Sequence, residues 1–303
     1  MKNLFIAITG GLGKQISFTR IAASAHLKYN KIYVCSPYVE LFNACPAIDG
    51  VYNLSNPAEA ADFLKDAMVD SKNELIIEHM YDMPGFIKKE LDYFTAWCKI
   101  LGMELTGTPN LDPFRVFPEQ MRQQVALFDT SRPFIIVQFT GGQSPINYNN
   151  DSMYSNEFEP LQRHYPTEYA QRFIDLFHKD NPDIQIIHYS LPNEPALNNT
   201  SRTLVSYLTY YALAQHPNCI GFIGIDSSLQ HLISGIKPGV VIWGHTLPEN
   251  FGYPCNHNIV QPCRRDDIIY FNMAGPSYAK IDYIKPEELL KEVDDYFNSI
   301  QKG

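Results

Sequence analysis

Short unbroken apolar runs alternate along this chain with longer stretches in which apolar residues recur every three or four positions. Leu4–Thr9, Lys31–Cys35, Val51–Leu54 and Glu74–Glu78 have the length and bounding residues of buried strands. The text from the glycine turn at Gly10–Gly13 to about Lys28, the segment Tyr38–Ala44 and the segment Gly85–Leu101, closed by Gly102, predict helices. This is the β-α-β rhythm of a parallel sheet with helices on its faces.

The rhythm breaks between Met103 and Arg132, where Pro109, Pro113 and Pro118 fall and Pro133 follows, and a domain boundary is expected there. A second series then begins. Phe134–Phe139, Ile184–His188, Cys219–Gly224 and Gly239–Trp243 predict strands, and His164–Lys179, Thr203–Gln215 and Ser227–Ile236 predict helices. Gly141–Leu161 is a long polar insertion after the first strand of this series. Pro286–Ile300 carries Leu289, Leu290, Val293, Tyr296, Phe297 and Ile300 on one helical face. The expected organisation is an α/β chain with domains at 1–125 and 126–285 and a closing helix at 286–303.

Composition narrows the class. The 303 residues are 45% apolar and 19% charged, a globular balance, and no run approaches the ~20 apolar residues of a membrane span. A soluble, cytoplasmic protein is expected. The net charge of −9 disfavours a nucleic-acid backbone as main partner, because phosphate binding wants a basic surface. The six cysteines contain no C-x-x-C pair and match no zinc spacing, so reduced thiols and no metal site are expected.

Candidate chemistry gathers where predicted strands end. Gly10-Gly11-Leu12-Gly13 leads from the first strand into the first helix, a place where main-chain amides can meet an anion or polar ligand. A P-loop is excluded by Ile8 and Gln15, and a G-x-G-x-x-G turn by Ile16. Gly224-Ile225-Asp226-Ser227-Ser228-Leu229-Gln230-His231 again joins strand to helix. Asp226 and the serines suit a helix cap, the amides of Ser227, Ser228 and Leu229 are expected to be free for a diphosphate, and His231 lies one turn in, able to donate to a phosphate or sugar oxygen. The loop from Gly244 through Thr246 to Pro248 follows the next strand, and Arg163 precedes the second domain's first helix as a candidate cation.

This ordered set resembles glycosyltransferase family 9, the heptosyltransferases of bacterial surface polysaccharide synthesis. Gly11-Leu12-Gly13-Lys14 stands where that family has G-x-G-D, Asp226–His231 where it has D-[ST]-G-x-x-H, and Gly244–Pro248 where it has a G-P-T-x-P-like loop. The resemblance implies a GT-B fold: two Rossmann-like domains facing each other across a cleft, the last helix packing back across the junction. It implies an inverting, metal-independent glycosyltransferase with a nucleotide-diphosphate-sugar as co-substrate, no further cofactor and a hydroxyl acceptor; a monomer or weak dimer is expected. The acceptor is open among glycans, lipopolysaccharide core, protein and a modified DNA base. Asp226, Ser227, Ser228, Leu229, His231, Gly244, Thr246 and Arg163 become donor-side residues, and Gly11, Leu12 and Gly13 acceptor-side ones.

Two positions depart from the family. Lys14 replaces the aspartate that acts there as general base, and a cationic lysine accepts a proton only when its pKa is heavily depressed. Ser228 replaces a glycine. Within Glu78-His79-Met80-Tyr81-Asp82, after an apolar strand, His79 and Asp82 are the substitutes for the base, so Asp82, His79 and Lys14 form the candidate catalytic set. The competing readings are a nucleotide-sugar 2-epimerase and a nucleotide-sugar-binding protein without turnover, which Lys14 favours.

Overall fold

The computed structural model describes residues 1–88, 90–104, 107–114, 123–141, 164–192, 194–244, 246–261 and 283–302. They form two compact units, one from the described residues up to 114, the other from those from 123 onward.

The first unit is built on β1 (Lys2–Ala7), β2 (Tyr29–Ser36), β3 (Gly50–Asn53) and β4 (Asn73–Ile77), all parallel and ordered β3-β2-β1-β4. Leu4, Ile6 and Ile8 lie fully buried along β1 and just beyond it. The crossovers are α1 (Leu12–Ala25), α2 (Val39–Asn43) and α3 (Pro57–Val69). Helix α1 is buried continuously from Lys14 to Ala22, so its polar side chains must find partners inside. Gln15 Nε2 donates to the Ile8 carbonyl at 3.1 Å, and Ser17 Oγ accepts from Trp97 Nε1 at 2.8 Å.

Helix α3 is not announced by periodicity, because its apolar residues point both ways. Phe63 and Ala67 pack on Phe5 and Cys35, whereas Leu64, Met68 and Val69 are exposed. Its start is nevertheless written locally: the Asn56 side chain accepts from the Ala58 amide at 3.1 Å, and Pro57 occupies the first turn. The single helix expected over Gly85–Leu101 is broken into α4 (Pro84–Ile87) and α5 (Tyr93–Ile100). Asp92 starts the second by accepting from the Thr95 amide at 2.9 Å.

The second unit carries β5 (Phe134–Val137), β6 (Gln185–His188), β7 (Cys219–Ile225), β8 (Gly239–Trp243) and β9 (His257–Val260), again all parallel, in the order β6-β5-β7-β8-β9. Its helices are α6 (Thr167–Asp180), α7 (Tyr207–Ala214), α8 (Ser228–Ile233), α9 (Pro248–Phe251) and α10 (Pro286–Lys302). Helix α7 begins later than its apolar text, at the point where Ser206 Oγ accepts from the Leu208 amide at 3.2 Å. Strand β9, an edge strand of His-Asn-Ile-Val, has too little apolar text to be read in advance.

Helix α10 belongs to the core of the second unit. Leu289 and Val293 are fully buried in one cluster with Ile135, Phe173, Ile223 and Val240. Polar ties run from Arg172 to Glu287 at 3.1 Å, from His257 to Glu292 at 2.9 Å and from the Tyr165 hydroxyl to the Ile284 carbonyl at 2.9 Å. No helix among the described residues is long and apolar enough to cross a membrane. Cys35, Cys45, Cys98, Cys219 and Cys255 are free thiols.

The position of Leu289 gives a direct test of this assignment. Leu289→Ala is expected to destabilise the second unit by about 2–5 kcal/mol in urea unfolding, the cost of a core cavity. A loss within error of zero would mean that α10 does not complete this core.

Candidate functional site

In a parallel sheet the chain reverses its direction of travel once, and the strands on either side of that reversal leave a crevice beyond their carboxyl ends. Here the first unit reverses between β1 and β4, and the second between β5 and β7. The sequence-predicted residues that are described, Arg163 not among them, lie at or beside these two crevices.

In the first unit the turn after β1 passes through Gly10, whose φ of +86° suits only glycine, and Gly11 is the cap of α1 without any side-chain partner. A Cβ on Gly11 would meet nothing within 4 Å, and Leu12 and Gly13 open the helix half-exposed. Lys14 does not face outward. Its Nζ lies 2.5 Å from Glu78 Oε2, with the two side chains only 3% and 1% exposed. The same ammonium sits 4.5 Å from the centroid of the Tyr81 ring. Burial pushes the Lys14 ammonium below the ordinary lysine value, against the opposing pull of Glu78 and Asp82. Glu78 also accepts from the Met80 amide at 2.6 Å. Beyond it, Met80–Asp82 form a single 3-10 turn. His79 and Asp82 are both exposed, and His79 Nδ1 lies 3.2 Å from the carbonyl of Ile77.

In the second unit the corresponding edge carries main-chain amides, hydroxyls and the buried Asp226 carboxylate. Leu229 at the start of α8 does not offer the free amide expected from the sequence: it donates to Gln138 Oε1 at 3.0 Å, from the end of β5. Ser227, rather than Asp226, occupies the cap position, without a side-chain cap bond. Its hydroxyl packs so tightly on Gly141 that a Cβ there would come within 2.2 Å. Ser228 is half-exposed, and its hydroxyl meets that of Tyr189 at 3.1 Å. Asp226 is buried, accepting from Gln230 Nε2 at 3.0 Å, with His231 Nε2 at 3.8 Å. His231 is itself buried, its Nδ1 2.9 Å from the Tyr253 hydroxyl, so its ring is engaged inside rather than presented to solvent.

Further groups stand at the same edge. Ser190 after β6 and Thr246 after β8 are both buried, and neither hydroxyl has a hydrogen-bond partner among the described residues. Unpaired buried hydroxyls are costly and uncommon. Glu194 is buried beyond β6 and accepts from the Leu191 amide at 2.7 Å; burial raises its carboxyl above the usual range. Gly244 ends β8, buried. Arg163 lies outside the described residues.

The structure thus brings Lys14 beside the Glu78–Asp82 segment, and brings Asp226–Leu229 to one sheet edge with Gly244 and Thr246. The sequence reading passes over Glu78 as a partner, and over Gln138, Gly141, Ser190 and Glu194. Glu78 lay within the segment already singled out, and Leu-Pro-Asn-Glu after a predicted strand marked Glu194 as a strand-end carboxylate. Nothing local marked Gln138, whose partner is 91 residues away.

No protein-family model matches the sequence, and no curated protein does. Solved structures do match in fold. A family 9 glycosyl transferase from Veillonella parvula aligns over 98% of each chain with a TM-score of 0.65 at 13% identity. The ADP-heptose lipopolysaccharide heptosyltransferase II of E. coli aligns over 99% of this chain and 100% of its own, with a TM-score of 0.59 at 13% identity. The E. coli heptosyltransferase WaaC, solved with ADP, aligns over 97% of this chain and 99% of its own, with a TM-score of 0.59 at 10% identity. The resemblance read from the motifs is therefore present in the fold.

His188, the last residue of β6, supplies a pH test. It is buried, neither ring nitrogen has a hydrogen-bond partner among the described residues, and burial, aided by the Arg202 cation, pushes its pKa down to about 4. The neutral ring is the folded form, so its effect on stability is nil above the unfolded value of about 6.5. Below that the unfolded chain takes up a proton that the folded one refuses. Stability should fall by about 3 kcal/mol between pH 6.5 and 4 on this account. His188→Leu should flatten that limb of a stability–pH curve measured against wild type; parallel curves would contradict the assignment.

Proposed function

We propose that this chain is a glycosyltransferase of inverting, metal-independent type, using a nucleotide-diphosphate-sugar as donor and a hydroxyl group as acceptor. The observation that carries the reading is that the buried hydroxyls of Ser190 and Thr246, without partners among the described residues, stand at the carboxyl edge of a sheet whose reversal point ends in the Asp226–Leu229 turn. Buried groups of this kind are tolerated where a ligand completes them. The fold shared with an ADP-heptose heptosyltransferase supports it.

On this reading the donor diphosphate rests on the amides of Ser227 and Ser228, with the hydroxyls of Ser228, Ser190 and Thr246 as further donors. The amide of Leu229 is already taken by Gln138. Asp226 and His231 hold the turn through Gln230 and Tyr253. The acceptor oxygen attacks the anomeric carbon from the face opposite the leaving group. The carbon–oxygen bond to phosphate breaks, the nucleoside diphosphate departs with the electron pair, and the acceptor proton passes to a base. Fixed donors aimed at the departing charge supply the main stabilisation. Gly11–Gly13 form the acceptor side, and the exposed Asp82 is the base, with His79 its neighbour. Lys14 is paired with Glu78 and is not the base.

A nucleotide-sugar-binding protein without turnover is the second reading, favoured by the closure of the β1–β4 crevice by Lys14 and Glu78. Product analysis separates the two: release of nucleoside diphosphate from the sugar supports transfer, and binding alone supports the second reading.

Four outcomes are expected. ADP-, UDP-, GDP- and CDP-sugars screened by thermal shift should include one that stabilises the protein, by about 2.7 kcal/mol at a hundred times its dissociation constant. Thr246→Val should weaken binding of that donor about 5- to 30-fold, the loss of one hydrogen bond, while leaving the unliganded protein as stable or more so. Asp82→Asn should lower kcat by about 10²- to 10⁴-fold with donor affinity retained, and EDTA should leave wild-type turnover unchanged. Donor binding that is indifferent to Thr246→Val would remove the support on which the donor site stands.

A further inference from the structure

The Lys14–Glu78 pair is buried where β1 and β4 end, and stability does not account for it. Taking both charges out of water is costly, and well-packed apolar residues commonly replace such pairs without loss of stability. What the pair does hold is a turn. Glu78 spends one carboxylate oxygen on Lys14 Nζ at 2.5 Å and the other on the Met80 amide at 2.6 Å. Lys14 Nζ lies 4.5 Å from the Tyr81 ring centroid, and the Tyr81 hydroxyl meets that of Tyr93, on α5, at 2.9 Å. The Asp82 amide closes the turn on the His79 carbonyl at 3.0 Å. Four consecutive residues before Asp82 are therefore tied to α1, to α5 or to one another, and Asp82 is the exposed group they carry.

We infer that Lys14 and Glu78 are positioning residues, a buried ion pair that fixes the Glu78–Asp82 segment and so aims the Asp82 carboxylate at the acceptor. This rests on the glycosyl-transfer reading, in which Asp82 takes the acceptor proton. The lysine is then not a lost base but one half of a neutral plug, and the carboxylate that does the chemistry has moved to a neighbouring strand end.

Either single substitution leaves an unpaired buried charge and risks unfolding, so the test uses Lys14→Met with Glu78→Met in one chain. ADP-D-β-D-heptose is the probe, with water as the acceptor: the water oxygen bonds to the anomeric carbon, ADP leaves, and the proton goes to Asp82. The double variant should melt close to wild type and bind the probe with unchanged affinity by calorimetry. Its kcat for ADP release should fall at least 10-fold, and the Met80 amide should exchange its hydrogen at least 10-fold faster. In an Asp82→Asn background the same two substitutions should lower kcat by less than 3-fold more, because residues that act as a unit do not add. A double variant that turns over like wild type overturns the positioning role and leaves the glycosyl-transfer reading standing. Undiminished loss in the Asp82→Asn background also overturns it, since the pair would then act elsewhere. Wild-type protein that binds the probe and releases no ADP overturns the transfer reading, and this inference with it.

Discussion

A parallel sheet covered by helices on both faces meets water only beyond the ends of its strands. The central strands of both units are built that way, and their interior positions are filled largely by Leu, Ile, Val and Phe. Any polar group that must reach a ligand is driven to one rim, and the order of the strands decides which polar groups meet there. β1 lies next to β4, and β5 next to β7, so the residues after those strands become neighbours although they stand far apart in the chain.

The two rims solve the same problem differently. Beyond β1 and β4 the space is closed by opposite charges, Lys14 and Glu78, each several kcal/mol worse off for leaving water and repaid only by good geometry with each other. Beyond β5 and β7 it is closed by neutral contacts: Gln138 on the Leu229 amide, and Ser227 on Gly141. The second rim leaves the Ser190 and Thr246 hydroxyls without partners among the described residues, whereas both carboxylate oxygens of Glu78 are engaged. On the glycosyl-transfer reading proposed above, that contrast suits a unit that binds a charged ligand through donors and a unit that holds a single carboxylate in place.

How far this was legible depends on distance along the chain. The strand-to-turn-to-helix text at Gly10–Gly13 and at Gly224–His231 is local, and both segments lie at strand ends in the structure. The cap at Asn56-Pro57 was equally local, yet α3 escaped notice because Leu64, Met68 and Val69 face outward and blur its periodicity. The break between α4 and α5 turns on one carboxylate, Asp92. Pairings that depend on strand order were not legible at all: nothing near Lys14 names Glu78, 64 residues on, and nothing near Gln138 names Leu229. His231 looked like a ligand donor from its place in the helix, and only the tertiary position of Tyr253 shows the ring to be engaged.

The contact between Gly141 and the Ser227 hydroxyl has an evolutionary corollary. Two positions 86 residues apart share one volume large enough for a single small side chain. Drift at either one is conditional on the other: a methyl can enter at 141 only after 227 has shed its own group. Across descendants of this sequence the two sites should trade bulk reciprocally, Gly with Ser giving way to Ala with Gly, and the mismatched intermediate with two side chains should be scarce.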